Sequence, residues 1–159
     1  MPGRPPALRR PQTGLTYLWA LFAVMLLGLG LGKALEVHHQ QRQREKEAEL
    51  LYIGEQYRQA IRSYYLSSPG TVKRYPSALQ DLLLDRRLLT VRRHIRRLYP
   101  DPITGTTDWG VVRNREGGIL GVHSLSQGQP LKQANFPEAI ADFGGAEEYR
   151  DWKFEFRAD

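Results

Sequence analysis

Residues 15–32 read LTYLWALFAVMLLGLGLG, a run without a charged side chain, with hydroxyls only on Thr16 and Tyr17, and closed by Lys33. As a helix rising about 1.5 Å per residue it covers nearly all of the ~30 Å hydrocarbon core of a bilayer. The segment before it is short, broken by prolines, carries Arg4, Arg9 and Arg10, and ends at Gly14. A basic flank on one side leaves that flank in the cytoplasm and sends the chain beyond Lys33 across the membrane. The expectation is a leader over 1–14, a transmembrane segment over 15–32, an outward continuation of the same helix over 33–66, and a head over 67–159.

Two other readings use the same residues. A secretory signal has an apolar region of about 7 to 15 residues followed by a small-x-small cleavage site; the nearest match, Gly32-Lys33-Ala34, holds a lysine inside the site. An uncleaved anchor explains the hydrophobicity but not a glycine at the polar-to-apolar boundary followed by Leu-Thr-Tyr-Leu.

Gly14-Leu15-Thr16-Tyr17-Leu18 resembles the processing motif of type IV prepilins and of the pseudopilins of type II secretion systems. The resemblance implies cleavage by a prepilin peptidase between Gly14 and Leu15, methylation of the new Leu15 amine, and assembly into a filament through the hydrophobic helix. It also implies the partners: other pseudopilin subunits, an inner-membrane assembly platform and membrane lipid. At the fifth mature position most family members carry glutamate, which pairs with a neighbour's N-terminal ammonium, whereas this chain has Trp19. Subunits at the filament tip do without that glutamate, so the resemblance implies that Trp19 marks either an atypical, minor or specialised member or a protein that stays in the membrane. Gly28 and Gly32 form a small-xxx-small pair suited to close helix contact within the membrane, although glycine also weakens a helix by up to about 1 kcal/mol each.

Composition sets further bounds. About 125 residues after Lys33 suffice for one small domain with its own core. The chain has no cysteine, which excludes disulfides and thiol or cysteine-metal chemistry. Its formal charge is +6, which favours anionic partners, but three of the arginines lie in the leader and leave with it on cleavage.

Beyond Lys33 the composition favours helix to Leu66. Residues 36–49 are polar on almost every face, as in a solvated neck; then Leu50, Ile53, Tyr57, Ile61 and Tyr64 recur at spacings of three and four and make a stripe to be buried. Pro69-Gly70 ends the helix. Ser77 and Gln80 read as a capping box opening a second helix through Leu79, Leu82 and Leu83 to about Leu88, and residues 91–99 as a further helical turn or two. Residues 109–113 and 119–123 read as strands joined by Asn114-Arg115-Glu116-Gly117-Gly118, a hairpin signal. Trp152-Lys153-Phe154-Glu155-Phe156 alternates as a half-buried strand does. The fold class expected is α+β and pilin-like: a long N-terminal transmembrane helix packed by its C-terminal half on a small antiparallel sheet. Tyr75-Pro76 before a leucine-rich segment, and Asp101-Pro102 with Gly105 before Trp109, are loosely similar to the layout of the major-pseudopilin head.

No nucleotide loop, zinc spacing or nucleophile elbow occurs, and no enzyme activity is expected. His38 and His39 are neighbours that point about 100° apart on a helix and do not share a metal; His94 sits among arginines, and His123 ends a strand. The acidic loop Asp142, Glu147, Glu148 and Asp151 around Gly144-Gly145 invites comparison with the calcium loop of major pseudopilins, but its spacing is not a calcium pattern, and a solvated loop without cofactor is the expectation. Arg92, Arg93, Arg96 and Arg97, taken as helical, form one basic face for an anionic partner, with Val91, Ile95, Leu98 and Tyr99 turned away.

These readings converge on a pseudopilin-like structural subunit of a bacterial type II secretion or related type IV filament machine, anchored in the inner membrane with a periplasmic head. A minor pilin of a DNA-uptake system using the arginine face, and a single-pass periplasmic adaptor, are the alternatives. Nucleic acid is not the expected partner.

Overall fold

The computed structural model describes residues 15–88 and 90–158, with side chains throughout except at 15, 16 and 27–38. The leader with Gly14, the side chains of Leu15, Thr16 and His38, and the Gly28/Gly32 pair lie outside the described part. Helix α1 spans Leu15–Leu66, 52 residues. The chain divides into two compact units, Met1–Gln41 and Arg42–Asp159, so α1 contributes to both.

In the first unit, Tyr17, Leu18, Trp19, Leu21, Phe22, Val24, Met25 and Leu26 are all exposed. Among the described residues no helix is long and apolar enough to cross a membrane. This corrects the expected fold, which required a transmembrane N-terminal helix, and with it the single-pass inner-membrane location.

The second unit is α+β, with a three-stranded antiparallel sheet. Strands β1 (Gly110–Arg113), β2 (Ile119–His123) and β3 (Phe154–Glu155) lie in the order β1-β2-β3. Val111 pairs with Val122, and Val122 with Phe154; the β1/β2 register shifts between Val112 and Arg113. The hairpin turn is held by Asn114, whose Oδ1 accepts the N–H groups of Glu116 at 3.0 Å and Gly118 at 2.7 Å. Gly117 there has φ 84°, a left-handed conformation that glycine adopts without a Cβ penalty.

Leu50, Ile53, Tyr57, Ile61 and Tyr64, the stripe of α1, are buried with Trp109, Ile119, Val122, Trp152 and Phe154 in one core. Phe154 lies directly on Gly54, where an added Cβ would meet its ring. Phe143 stacks on Trp152 at 5.7 Å and meets Phe154 edge-on at 5.0 Å. Such pairs add about 0.5–1.5 kcal/mol beyond the area they bury.

Two local expectations are corrected. The second helix is only a 3-10 turn, Leu79–Leu82, and its start is held by Asp81 rather than Gln80: one Asp81 oxygen accepts from the backbone N–H groups of Ser77 (3.0 Å) and Ala78 (2.9 Å) and from the Ser77 hydroxyl (2.8 Å). The arginine-rich 91–99 segment is not helical. The reason for both is a backbone cross-link: the Leu82 carbonyl accepts from His94 N–H at 2.8 Å and Ile95 N–H at 3.2 Å, while Asp85 N–H donates to the Arg92 carbonyl at 2.9 Å. Pairing across the two segments replaces the helical ladder of each.

Candidate functional site

The apolar face of α1 is the feature with the largest unmet demand. Leu18, Trp19, Leu21, Phe22 and Met25 line a hollow on the surface of this one helix, and Trp19 meets Phe22 edge-on at 6.2 Å. Each of these side chains is at least half exposed. Contiguous large apolar side chains left exposed mark an interaction site, and among the described residues of the first unit nothing covers them.

The four arginines of the expected basic face are all exposed, with Ile95 buried between the pairs. Their spacing on an extended, bending backbone is not the i, i+4 spacing of a helix. Among the described residues Arg92, Arg93 and Arg96 take part in no ion pair, whereas Arg97 lies 4.9 Å over the Tyr99 ring.

Arg87, by contrast, is structural. Its guanidinium donates to Asp85 at 2.7 Å and 2.9 Å, to the Tyr64 carbonyl at 2.8 Å and to the Ser68 hydroxyl at 2.8 Å, and it lies 3.4 Å over the Tyr64 ring. A cation on the last-turn carbonyls suits the negative end of α1. Asp85 is 1% exposed, and the Arg87 side chain holds its carboxyl well below the ordinary range against the opposing effect of burial. His94 completes the cluster, with Nδ1 2.8 Å from Ser63 Oγ and Nε2 3.3 Å from Asp85 Oδ2. Burial pulls His94 below its ordinary value although Asp85 pulls the other way, so the ring is neutral at pH 7.

Two further buried carboxylates escaped sequence reading. Glu47, 2% exposed, lies in the stretch read as a solvated neck. It accepts the backbone N–H groups of Leu131 (2.5 Å) and Lys132 (3.1 Å) and the Tyr149 hydroxyl (2.8 Å). Tyr149 also accepts from Gln43 at 2.9 Å, and burial pushes its phenol up to about 12. Asp101 is fully buried and accepts from the Ser124 hydroxyl at 2.6 Å, the Thr104 hydroxyl at 3.0 Å and Ile103 N–H at 2.9 Å. Asp101-Pro102 could have flagged a side-chain-capped turn; no signal distinguishes Glu47 from its exposed neighbours.

The acidic loop does not gather its carboxylates. Asp142 and Glu147 are exposed, Glu148 pairs with Arg150, and Asp151 accepts from Glu148 N–H at 3.0 Å. Among the described residues no group of three or more His, Asp or Glu side chains is placed to hold a metal ion. His39 is exposed, and His123 Nδ1 lies 2.9 Å from the Ser124 carbonyl. No protein family, curated protein or solved structure matches this chain.

Proposed function

We propose that the chain is a pilin-like structural subunit, processed between Gly14 and Leu15 by a prepilin-type peptidase and assembled with other subunits through the apolar half of α1. The reading places it in a type II secretion or related type IV filament machine of a bacterium. The observation that carries it is the exposed apolar face of residues 17–26, which neighbouring copies of the same helix would cover by packing. Supporting it are the glycine-hydrophobic-threonine boundary at residues 14–16 and a second unit whose core is complete, so that the α1 stripe from Leu50 to Tyr64 is satisfied within the chain. Trp19 at the fifth mature position fits a specialised rather than a bulk subunit.

The test is intact-mass analysis of the native protein together with sedimentation of its assemblies. The expected result is a chain beginning at methylated Leu15 that sediments as an oligomer, and that stays monomeric when Phe22→Arg places a charge in the apolar face. A chain retaining Met1, or starting beyond Ala34, overturns the reading.

A further inference from the structure

The second unit carries two surfaces of opposite charge. On one, the last turns of α1 and the segment after the 3-10 turn enclose a hollow of about 460 Å³ lined by Gln59, Arg62, Ser63, Leu66, Ser67 and Arg92. Arg92 also borders a second hollow of about 570 Å³ with Pro69, Leu88 and Val91. Leu66 is 55% and Val91 59% exposed, so each hollow sets an exposed apolar side chain beside Arg92. Arg62 and Arg92 take part in no ion pair among the described residues. On the other surface, the turn Glu138–Phe143 and the residues after it expose Glu138, Asp142 and Glu147, with the small apolar Ala139 and Ala141 exposed between them. None of these three carboxylates takes part in an ion pair among the described residues either.

We infer that the Arg62/Arg92 hollow receives the acidic 138–147 loop of a second copy of the chain. The inference rests on the subunit reading above and gives it a second, polar contact. A carboxylate-alanine-carboxylate surface matches both the charge of Arg62 and Arg92 and the exposed Leu66 and Val91 beside them. A nucleic-acid backbone would match only the charge, leaving Leu66 and Val91 facing water. Because the two patches are different surfaces, the contact is head-to-tail, and head-to-tail contacts that do not close by rotation propagate as chains. Exposed charge pairs of this kind set register and partner choice more than strength, and they weaken with salt.

The chain has no cysteine, so engineered thiols are the sole thiols in each variant. Full-length Ser67→Cys and Ala141→Cys proteins, mixed and oxidised, should give a 67–141 heterodisulfide in preference to either homodimer. Its yield should fall about tenfold in Arg62→Glu/Arg92→Glu, as removal of two exposed pairs predicts, and should return when the partner carries Asp142→Lys/Glu147→Lys. Ala20→Cys, on the exposed helix face, reports assembly through α1 separately. Ala20 crosslinks without a 67–141 product overturn the inference and leave the subunit reading standing; loss of both overturns both. A 67–67 product as strong as 67–141 makes the face a two-fold contact and overturns it as well. Retention of duplex DNA through Arg62 and Arg92, with no 67–141 product, assigns the hollow to nucleic acid instead.

Discussion

Replacing Glu47 by alanine removes the acceptor for two backbone N–H groups and one hydroxyl. A buried donor left unmatched costs about 1–3 kcal/mol. The carboxylate borders an open hollow with Arg44, Leu131 and Lys132, so water can reach the stranded Leu131 and Lys132 amides and the lower part of that range applies to each. The Tyr149 hydroxyl loses its acceptor but still receives Gln43, and contributes about 1 kcal/mol more. The sum is about 3–4 kcal/mol, a large share of the 5–15 kcal/mol typical of a whole domain. Glu47→Gln keeps one carbonyl oxygen but turns an NH₂ toward a backbone donor, and should cost about 1–2 kcal/mol. Urea denaturation followed by tryptophan fluorescence gives both numbers, and hydrogen exchange at the Leu131 and Lys132 amides gives the local effect. A loss below 1 kcal/mol in Glu47→Ala with those amides still protected would refute the account of Glu47 as the anchor of this segment.

Gly54→Ala should destabilise by about 1–3 kcal/mol, since its Cβ enters the space of the Phe154 ring; in an open helix the same change stabilises by about 1 kcal/mol, so the sign alone decides, and Phe154→Leu in the same chain should recover part of the loss in a double-mutant cycle. Acidification should weaken the fold in two stages. Both groups of the buried pair have folded values below their ordinary ones, 6.5 for His94 and 3.8 for Asp85, so each contributes stability that is complete above its ordinary value, begins to decline there and is lost as pH falls through its lower folded value. Thermal melts from pH 8 to pH 3 should show a shallow decline from about pH 6.5 and a steeper one below about pH 4. Asp85→Asn should remove the steeper part, and an unchanged slope in that variant would count against the network.

The long-range order of the second unit was written in periodic patterns. Five stripe positions on α1, the 114–118 turn and the alternation around Phe154 all report which face meets the core, because burial repeats at the period of the element. What could not be read was polar and non-periodic. Glu47 looks like Glu45 and Glu49 in the sequence, and only its distance to a segment more than eighty residues away sets it apart. The 79–99 region has helical composition, yet Asp85 and His94 are drawn inward by Arg87 and Ser63, and backbone pairing between 82–85 and 92–95 outcompetes local propensity. The four arginines are exposed, but not at the spacing of a helix. The apolar character of residues 17–26 was legible in the sequence, and their exposure in the structure agrees with it.

The seat of Phe154 on Gly54 also has a consequence in time. The two positions are one hundred residues apart in the chain (154 − 54), and at a synthesis rate of about 5–20 residues per second the gap is on the order of 5 to 20 s. Throughout that interval the greasy side of α1 from Leu50 to Tyr64 has been made but its lid has not. A nascent chain in that state would be a natural client for a holding chaperone, and slower translation of the intervening stretch would lengthen its exposure rather than help it fold.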